Sequence, residues 1–441
     1  METIVCIVVN ALIFPFTVIA YFCDVFSNQI IQSTRQVVGV PSTISIEVTD
    51  FAAHFAIWLC SLHTSRPASL LHTYDGHNMI FGYSCRALFE TAMVVLKRDL
   101  CNGKPVRILT TPVHHKSLVL IMERLTDSIE ILTLDERNRS INVDEATEEA
   151  VKNCDIIVIT HMFGRNFDLS KLIELKKKHN KILIVDSVMG GARRETYAVT
   201  DADLDIYSTG QDKRPIAIGG GYCIYRHKIF AAMEAEIMSY AVVTRWERLQ
   251  KLANTLLLRQ VYNNKSLVLF LLTVAPMFGL TTTEIVADVR KNNPGFDHNG
   301  YLRCPSEALC RSMKLELGNE KPMEDRFIHC WRLFLESLPE PLRRAYYPQY
   351  EASEPVILPY NQIILPPGHK EQFLAFCDKH RICGATNQNY MMMTNSAPQY
   401  HEFIGRVHNL PTAIGSDDDI PCLVEALVQY MAEDTVTVPQ K

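Results

Sequence analysis

Asp186 closes the apolar run Ile182-Leu183-Ile184-Val185, and downstream of it Lys213 stands five residues after Ser208 and six before the triplet Gly219-Gly220-Gly221. A β-branched run ending in one carboxylate reads as a buried strand that delivers Asp186 to its carboxyl edge, where open α/β sheets bind ligands. A lysine amine can hold an aldehyde as a Schiff base, and an aspartate beside a heteroaromatic nitrogen keeps that nitrogen protonated by raising its pKa. The hydroxyl of Ser208 offers an anion contact and the glycines a tight turn. Together these groups suit pyridoxal phosphate, with Lys213 as the catalytic amine and Asp186 as the partner of the ring nitrogen.

The order of motifs around them resembles the DegT/StrS-type aminotransferases, the sugar-aminotransferase branch of fold-type I pyridoxal-phosphate enzymes. The likeness is specific from about residue 80 to 230 and weaker to about 430. Its His-x-x-Gly-x-x-x-Asp turn is matched by His161-Met162-Phe163-Gly164-Arg165-Asn166-Phe167-Asp168, followed by a helix over 169–179 and the Asp186 strand. The family's Ser-Phe-x-x-x-Lys is matched by Ser208 and Lys213, which implies a phosphate contact and the covalent attachment point. His161 reads as structural, placed by its turn.

Upstream, Gly82-Tyr83-Ser84-Cys85-Arg86-Ala87-Leu88 precedes a helix and stands where the family has its Ser-Gly-Thr-Ala turn. Free N–H groups and the positive dipole end make a helix start an anion site, so Ser84, Cys85 and Arg86 are candidates for holding the cofactor phosphate. The strand at 106–111 runs into Pro112-Val113-His114-His115, where the family places an aromatic ring over the pyridine; His115 is the first choice and His114 the alternative. By the same resemblance Tyr301 and Arg303, in Gly300-Tyr301-Leu302-Arg303, stand where family residues reach the neighbouring subunit's site, which implies a homodimer. The chain departs from the pattern at Met189, where the family has glutamine near the cofactor's phenolic oxygen. It departs again at Asn387-Gln388-Asn389-Tyr390, where a histidine motif is usual.

The elements that must position these groups follow from alternation: strand 106–111, helix 117–124, strand 129–134, helix 143–151, strand 155–160, helix 169–179 and strand 181–186. Helices alternating with apolar strands imply right-handed crossovers and a mostly parallel sheet flanked by helices. Past residue 305 the pattern becomes helix, strand and helix. The expected architecture is therefore an α/β fold-type I transferase: an apolar N-terminal segment (1–40), a large cofactor-binding domain (41–304) with an apolar insertion near 240–297, and a small C-terminal α+β domain (305–441).

A chain of 441 residues is ample for two such parts, and a net charge of −5 without a basic tract argues against a nucleic-acid partner. Thirteen cysteines without a CxxC pair point to reduced thiols in a cytoplasmic setting, with no metal site. Residues 4–23 approach the length of a bilayer span, and 266–280 form a second, shorter apolar stretch. Each needs cover, from lipid or from protein, which makes a membrane surface one of the expected partners.

The resemblance implies transfer of an amino group from an amino acid, glutamate by the family's habit, to a keto acceptor such as a nucleotide-linked keto sugar. The same Lys213 and Asp186 would also serve a lyase or an acyl-CoA-condensing synthase of this fold type. The apolar segments leave open a membrane-peripheral enzyme acting on a lipid-linked substrate. A non-catalytic scaffold is disfavoured by the presence of both residues.

Overall fold

The structure, a computed structural model, describes residues 66–74, 76–135, 140–141, 143–161, 167–189, 201–210, 213, 217, 219–244, 246–247, 298–317, 321–347, 360–380, 382, 385–386, 390–393, 396, 398–411 and 419–434. The apolar stretches 4–23 and 266–280 lie outside the described residues. Among those described, no helix is long and apolar enough to cross a membrane.

The strands are β1 (Leu71–Tyr74), β2 (His77–Gly82), β3 (Arg107–Thr110), β4 (Val113–His115), β5 (Ser128–Ile131), β6 (Leu134–Asp135), β7 (Ser140–Ile141), β8 (Ile156–Thr160), β9 (Ile182–Asp186), β10 (Leu204–Ser208), β11 (Gly221–Tyr225), β12 (Tyr360–Ile364), β13 (Ala385–Thr386), β14 (Tyr390–Met392) and β15 (Val407–Pro411). The helices of the first part are α1 (Cys85–Val95), α2 (Lys116–Leu125), α3 (Glu145–Asn153), α4 (Ser170–His179) and α5 (Ala232–Ser239). Farther along the chain come α6 (His298–Tyr301), α7 (Glu307–Glu316), α8 (Lys321–Ser337), α9 (Glu340–Tyr346), α10 (Lys370–Lys379), α11 (Pro398–Arg406) and α12 (Asp419–Asp434).

Eight strands form one sheet in the order β1-β2-β11-β10-β9-β8-β3-β5. The run β10-β9-β8-β3-β5 is parallel, whereas β11 is antiparallel to both neighbours. Every residue of β8 and β9 is buried, which explains their unbroken apolar sequences: helices cover both faces, so no alternation with polar residues is required. Because β11 runs backwards beside β2, its first residue Gly221 lies at the same sheet edge as the last residues of β2 and β10, paired with Gly82 on one side and Ser208 on the other. Asp186 sits at that edge too, opposite Thr160 and Ile206.

α1 crosses the large core with Ala87, Leu88, Phe89, Ala92, Met93 and Val95 buried. It starts where it does because the Ser84 side chain accepts the Ala87 N–H, a cap worth about 1 kcal/mol. α3 opens on a reciprocal cap between Asp144 and Thr147, and α4 ends on Asn180 in the left-handed conformation after a basic last turn that complements its dipole.

A second core gathers Phe327, Trp331 and Phe334 of α8 with Tyr347, Phe373 and Tyr430 around the three-stranded sheet β12-β15-β13. α7 packs Leu309, Cys310 and Met313 into the first core. β14 crosses back and pairs antiparallel with β4, setting Tyr390 opposite His115.

Candidate functional site

Asp186 is 3 % exposed, and burial pushes its carboxyl up to about 6. The Val188 N–H, 3.1 Å from Oδ1, the Thr160 hydroxyl, 3.3 Å from Oδ2, and the charge of Lys213 oppose that rise. A buried carboxyl so placed gains from a further cation beside it, which a protonated ring nitrogen would supply.

Lys213 stands in the loop between β10 and β11. Thr209 closes this loop at its base: its N–H donates to the Gly220 carbonyl at 3.3 Å, its hydroxyl to the Gly219 carbonyl at 2.8 Å, and its own carbonyl accepts the Ala217 N–H at 3.0 Å. The lysine Nζ lies 2.9 Å from Sδ of Met189, three residues after Asp186. One turn therefore carries the carboxylate at its start and a contact to the amine at its end.

The glycine triplet is required by space and by backbone. Gly219 and Gly220 adopt φ of 91° and 96°. A Cβ on Gly221 would stand 2.8 Å from the Tyr207 carbonyl oxygen, 2.9 Å from Cys85 Sγ and 3.0 Å from the Cys85 nitrogen. The triplet thus seats the start of β11 directly against the N-terminus of α1. That end of the helix has no acidic residue in its first turn and bears Arg86 instead, a charge its dipole opposes unless an anion joins them. Such an end, beside Ser208, fits a phosphate group.

Among the three residues read there from sequence, Ser84 is the helix cap. Cys85 turns its thiol to the Tyr207 carbonyl at 3.0 Å, and burial pushes that thiol up to about 12, so it remains protonated at neutral pH. Arg86 lies 5.5 Å over the Tyr301 ring, and the Tyr301 hydroxyl donates to Glu90, a buried carboxylate that also pairs with Arg124 at 2.7 Å. Tyr301 is thus engaged with α1 of its own chain. Arg303 approaches Glu247 at 3.6 Å.

The two histidines after β3 part ways. His115 caps α2, its Nδ1 accepting the Ser117 N–H at 3.2 Å. His114 is buried, held neutral with its pKa drawn down to about 4, and its Nδ1 is 2.6 Å from the Thr160 hydroxyl that also meets Asp186. Thr160 was not singled out from sequence; only its place at the end of a strand beside Asp186 could have signalled it. His161, likewise neutral through burial, accepts the Phe167 N–H at 3.0 Å and donates its own backbone N–H to the Asp186 carbonyl at 2.9 Å.

No family model matches the sequence, and no curated protein does. Solved structures do. Helicobacter pylori PseC, an aminotransferase involved in the biosynthesis of pseudoaminic acid, aligns at 12 % identity over 90 % of this chain and 100 % of its own, with a TM-score of 0.59. A GDP-4-keto-6-deoxymannose-3-dehydratase holding a trapped PLP-glutamate geminal diamine aligns at 13 % identity over 87 % and 98 %, again at 0.59. The chain has the fold-type I transferase fold. The sheet order above, with β11 reversed between β2 and β10 and with its cluster of carboxyl-edge residues, is that fold's frame in this sequence. A cysteine desulfurase from Thermococcus onnurineus shares it too, at 12 % identity over 90 % of this chain and 95 % of its own and a TM-score of 0.53.

Proposed function

We propose that this protein is a pyridoxal-phosphate-dependent aminotransferase that moves an amino group from an amino acid, glutamate by resemblance, to a keto acceptor of the nucleotide-linked sugar type. The observation that carries the reading is the convergence at one sheet edge of a buried carboxyl, a lysine amine on the adjoining loop and a helix N-terminus with a cation in its first turn. The structures sharing this fold, an aminotransferase and a PLP-glutamate complex among them, support the same chemistry.

Bound there, pyridoxal phosphate would supply an electron-accepting ring that acidifies the substrate Cα–H. Asp186 would hold the ring nitrogen as its cation. Lys213 would carry the aldehyde covalently and, once displaced by the donor amine, move the proton between substrate Cα and the cofactor's C4′ as base and then acid. The α1 N-terminus, Arg86 and Ser208 would bind the phosphate, and His115 or His114 would flank the ring. Burial of Asp186 keeps water from competing for its charge.

A homodimer with an isologous contact is part of this reading, as is the assignment of Tyr301 and Arg303 to a site completed between subunits. Association of residues 4–23 with a lipid surface belongs to it as well; retention of the full-length chain in a high-speed supernatant without detergent would count against that. The desulfurase likeness favours one rival, a lyase using the same lysine and aspartate.

Lys213→Ala tests the assignment. The variant is expected to keep its circular dichroism, lose the protein-bound visible absorbance and lose the borohydride-trappable cofactor. A trapped adduct in the variant would overturn the role of Lys213. In the wild type, conversion of bound cofactor by glutamate with one 2-oxoglutarate formed per cofactor and no ammonia released separates transfer from lyase chemistry.

A further inference from the structure

Met189 belongs to two parts of the molecule at once. Its sulfur lies 2.9 Å from the Lys213 Nζ, while its side chain, 7 % exposed, is a member of the second core with Phe327, Trp331 and Tyr347. Val188 packs against that same core and gives its N–H to Asp186. The four residues from Asp186 to Met189 are thus one turn, fastened at one end to the central sheet and seated at the other on the C-terminal core. We propose that Met189 is a positioning residue: its thioether holds the Lys213 amine and makes the placement of that amine depend on how the C-terminal core is seated. The proposal rests on the covalent role read above for Lys213.

The chemistry of the side chain separates this role from plain packing. Leucine would fill a site lined by aromatic and aliphatic groups equally well, but only a sulfur gives the lysine an acceptor there without burying a further donor. The thioether accepts weakly and has no proton to offer. It can therefore hold the free amine in place and release it to condense with an aldehyde, water leaving, at less cost than a carboxylate would impose.

The test uses the full chain freed of cofactor, with pyridoxal phosphate as the probe and the rate of borohydride-trappable adduct at Lys213, identified by peptide mass, as the readout. Met189→Leu conserves volume and is expected to leave the thermal midpoint within a few degrees while slowing capture about tenfold, and Met189→Gln, which restores an acceptor, to recover it within about threefold. The pH midpoint of the bound chromophore is expected to move in the leucine variant and return toward wild type in the glutamine variant. Phe334→Leu, remote in the C-terminal core, is expected to slow capture, whereas Ile121→Val in the large core leaves it unchanged. Wild-type capture by Met189→Leu overturns the sulfur's role, and equal slowing by the two core variants overturns the coupling. Absence of any adduct in the wild type would remove the cofactor reading, and this proposal with it.

Discussion

Thr160 Oγ1 sits 2.6 Å from Nδ1 of His114, closer than it sits to the Asp186 carboxylate at 3.3 Å. Nε2 of His114 is 2.7 Å from the Thr111 carbonyl oxygen, which can only accept, so the neutral ring carries its proton on Nε2 and Nδ1 takes the threonine's proton. A hydroxyl has one proton, and His114 competes with Asp186 for it. Replacing His114 by leucine would leave that proton to the carboxylate and stabilise its charged form. Asp186 can hold a cation only when ionised, and burial, by pushing its carboxyl up, makes that ability fail at a higher pH than for an ordinary carboxylate. His114→Leu is therefore expected to carry cofactor retention to lower pH, read as bound absorbance after gel filtration across a pH series. An acid limb that is unchanged, or moved upward, would contradict the competition.

Asp186→Asn keeps the shape and a hydrogen-bonding group but removes the anion from a buried position. Turnover should fall by orders of magnitude, each tenfold drop amounting to about 1.4 kcal/mol of barrier, while the fold persists because an uncharged amide is less costly to bury. Single-turnover rates with glutamate check this. Rates within a few-fold of wild type would remove Asp186 from its role.

Strands β8 and β9 of the parallel half were legible because each is a short apolar run next to a helix, and the placement of Asp186 at a strand's carboxyl end was legible because the run stops there. The antiparallel edge was not. β2 and β11 pair across more than a hundred residues, and nothing local in His77–Gly82 names that partner, although β1 and β2 themselves are a hairpin joined by Asp75-Gly76. The choice between His114 and His115 failed to resolve for the same reason. It depends on which side of β4 faces β8 and on the pairing of Tyr390 with His115, and both are tertiary facts. The tie from Met189 to the C-terminal core is equally non-local. Sequence showed a departure from the expected glutamine but not what the methionine touches.

Gly220→Ala tests the cradle. At φ 96° a Cβ is strained, and it would stand 2.7 Å from Met313 Sδ and 3.0 Å from the Thr209 hydroxyl that closes the Lys213 loop. A cost of about 1–3 kcal/mol is expected from the backbone alone, seen as a lowered thermal midpoint together with weaker cofactor binding. Gly368, whose φ is 82° with no atom within 4 Å of a built Cβ, provides the comparison: alanine there should lower the midpoint without touching cofactor affinity. Equal effects on affinity at the two positions would show that the cradle has no special part.

Acid stability follows from three buried imidazoles. His114, His161 and His408 are each drawn by burial from the ordinary 6.5 down to about 4, with Lys370 adding to the effect at His408. Between those limits the unfolded chain takes up protons that the native state refuses, so stability is full above about 6.5 and is lost as pH falls toward 4. Asp186 works the other way. Its folded value of about 6 lies above the unfolded one, so its contribution is present at low pH and is lost as pH rises through 6. Three groups against one make the net change among them an uptake of protons on unfolding, so stability falls as pH drops from about 6.5 toward 4. Urea titrations at pH 7 and pH 5 should show the midpoint falling with acid, and His408→Leu, whose ring packs 5.6 Å from Phe373 away from the site, should fall less than wild type between the two pH values. Stability that holds or rises on acidification would mean that these rings charge freely in the native protein.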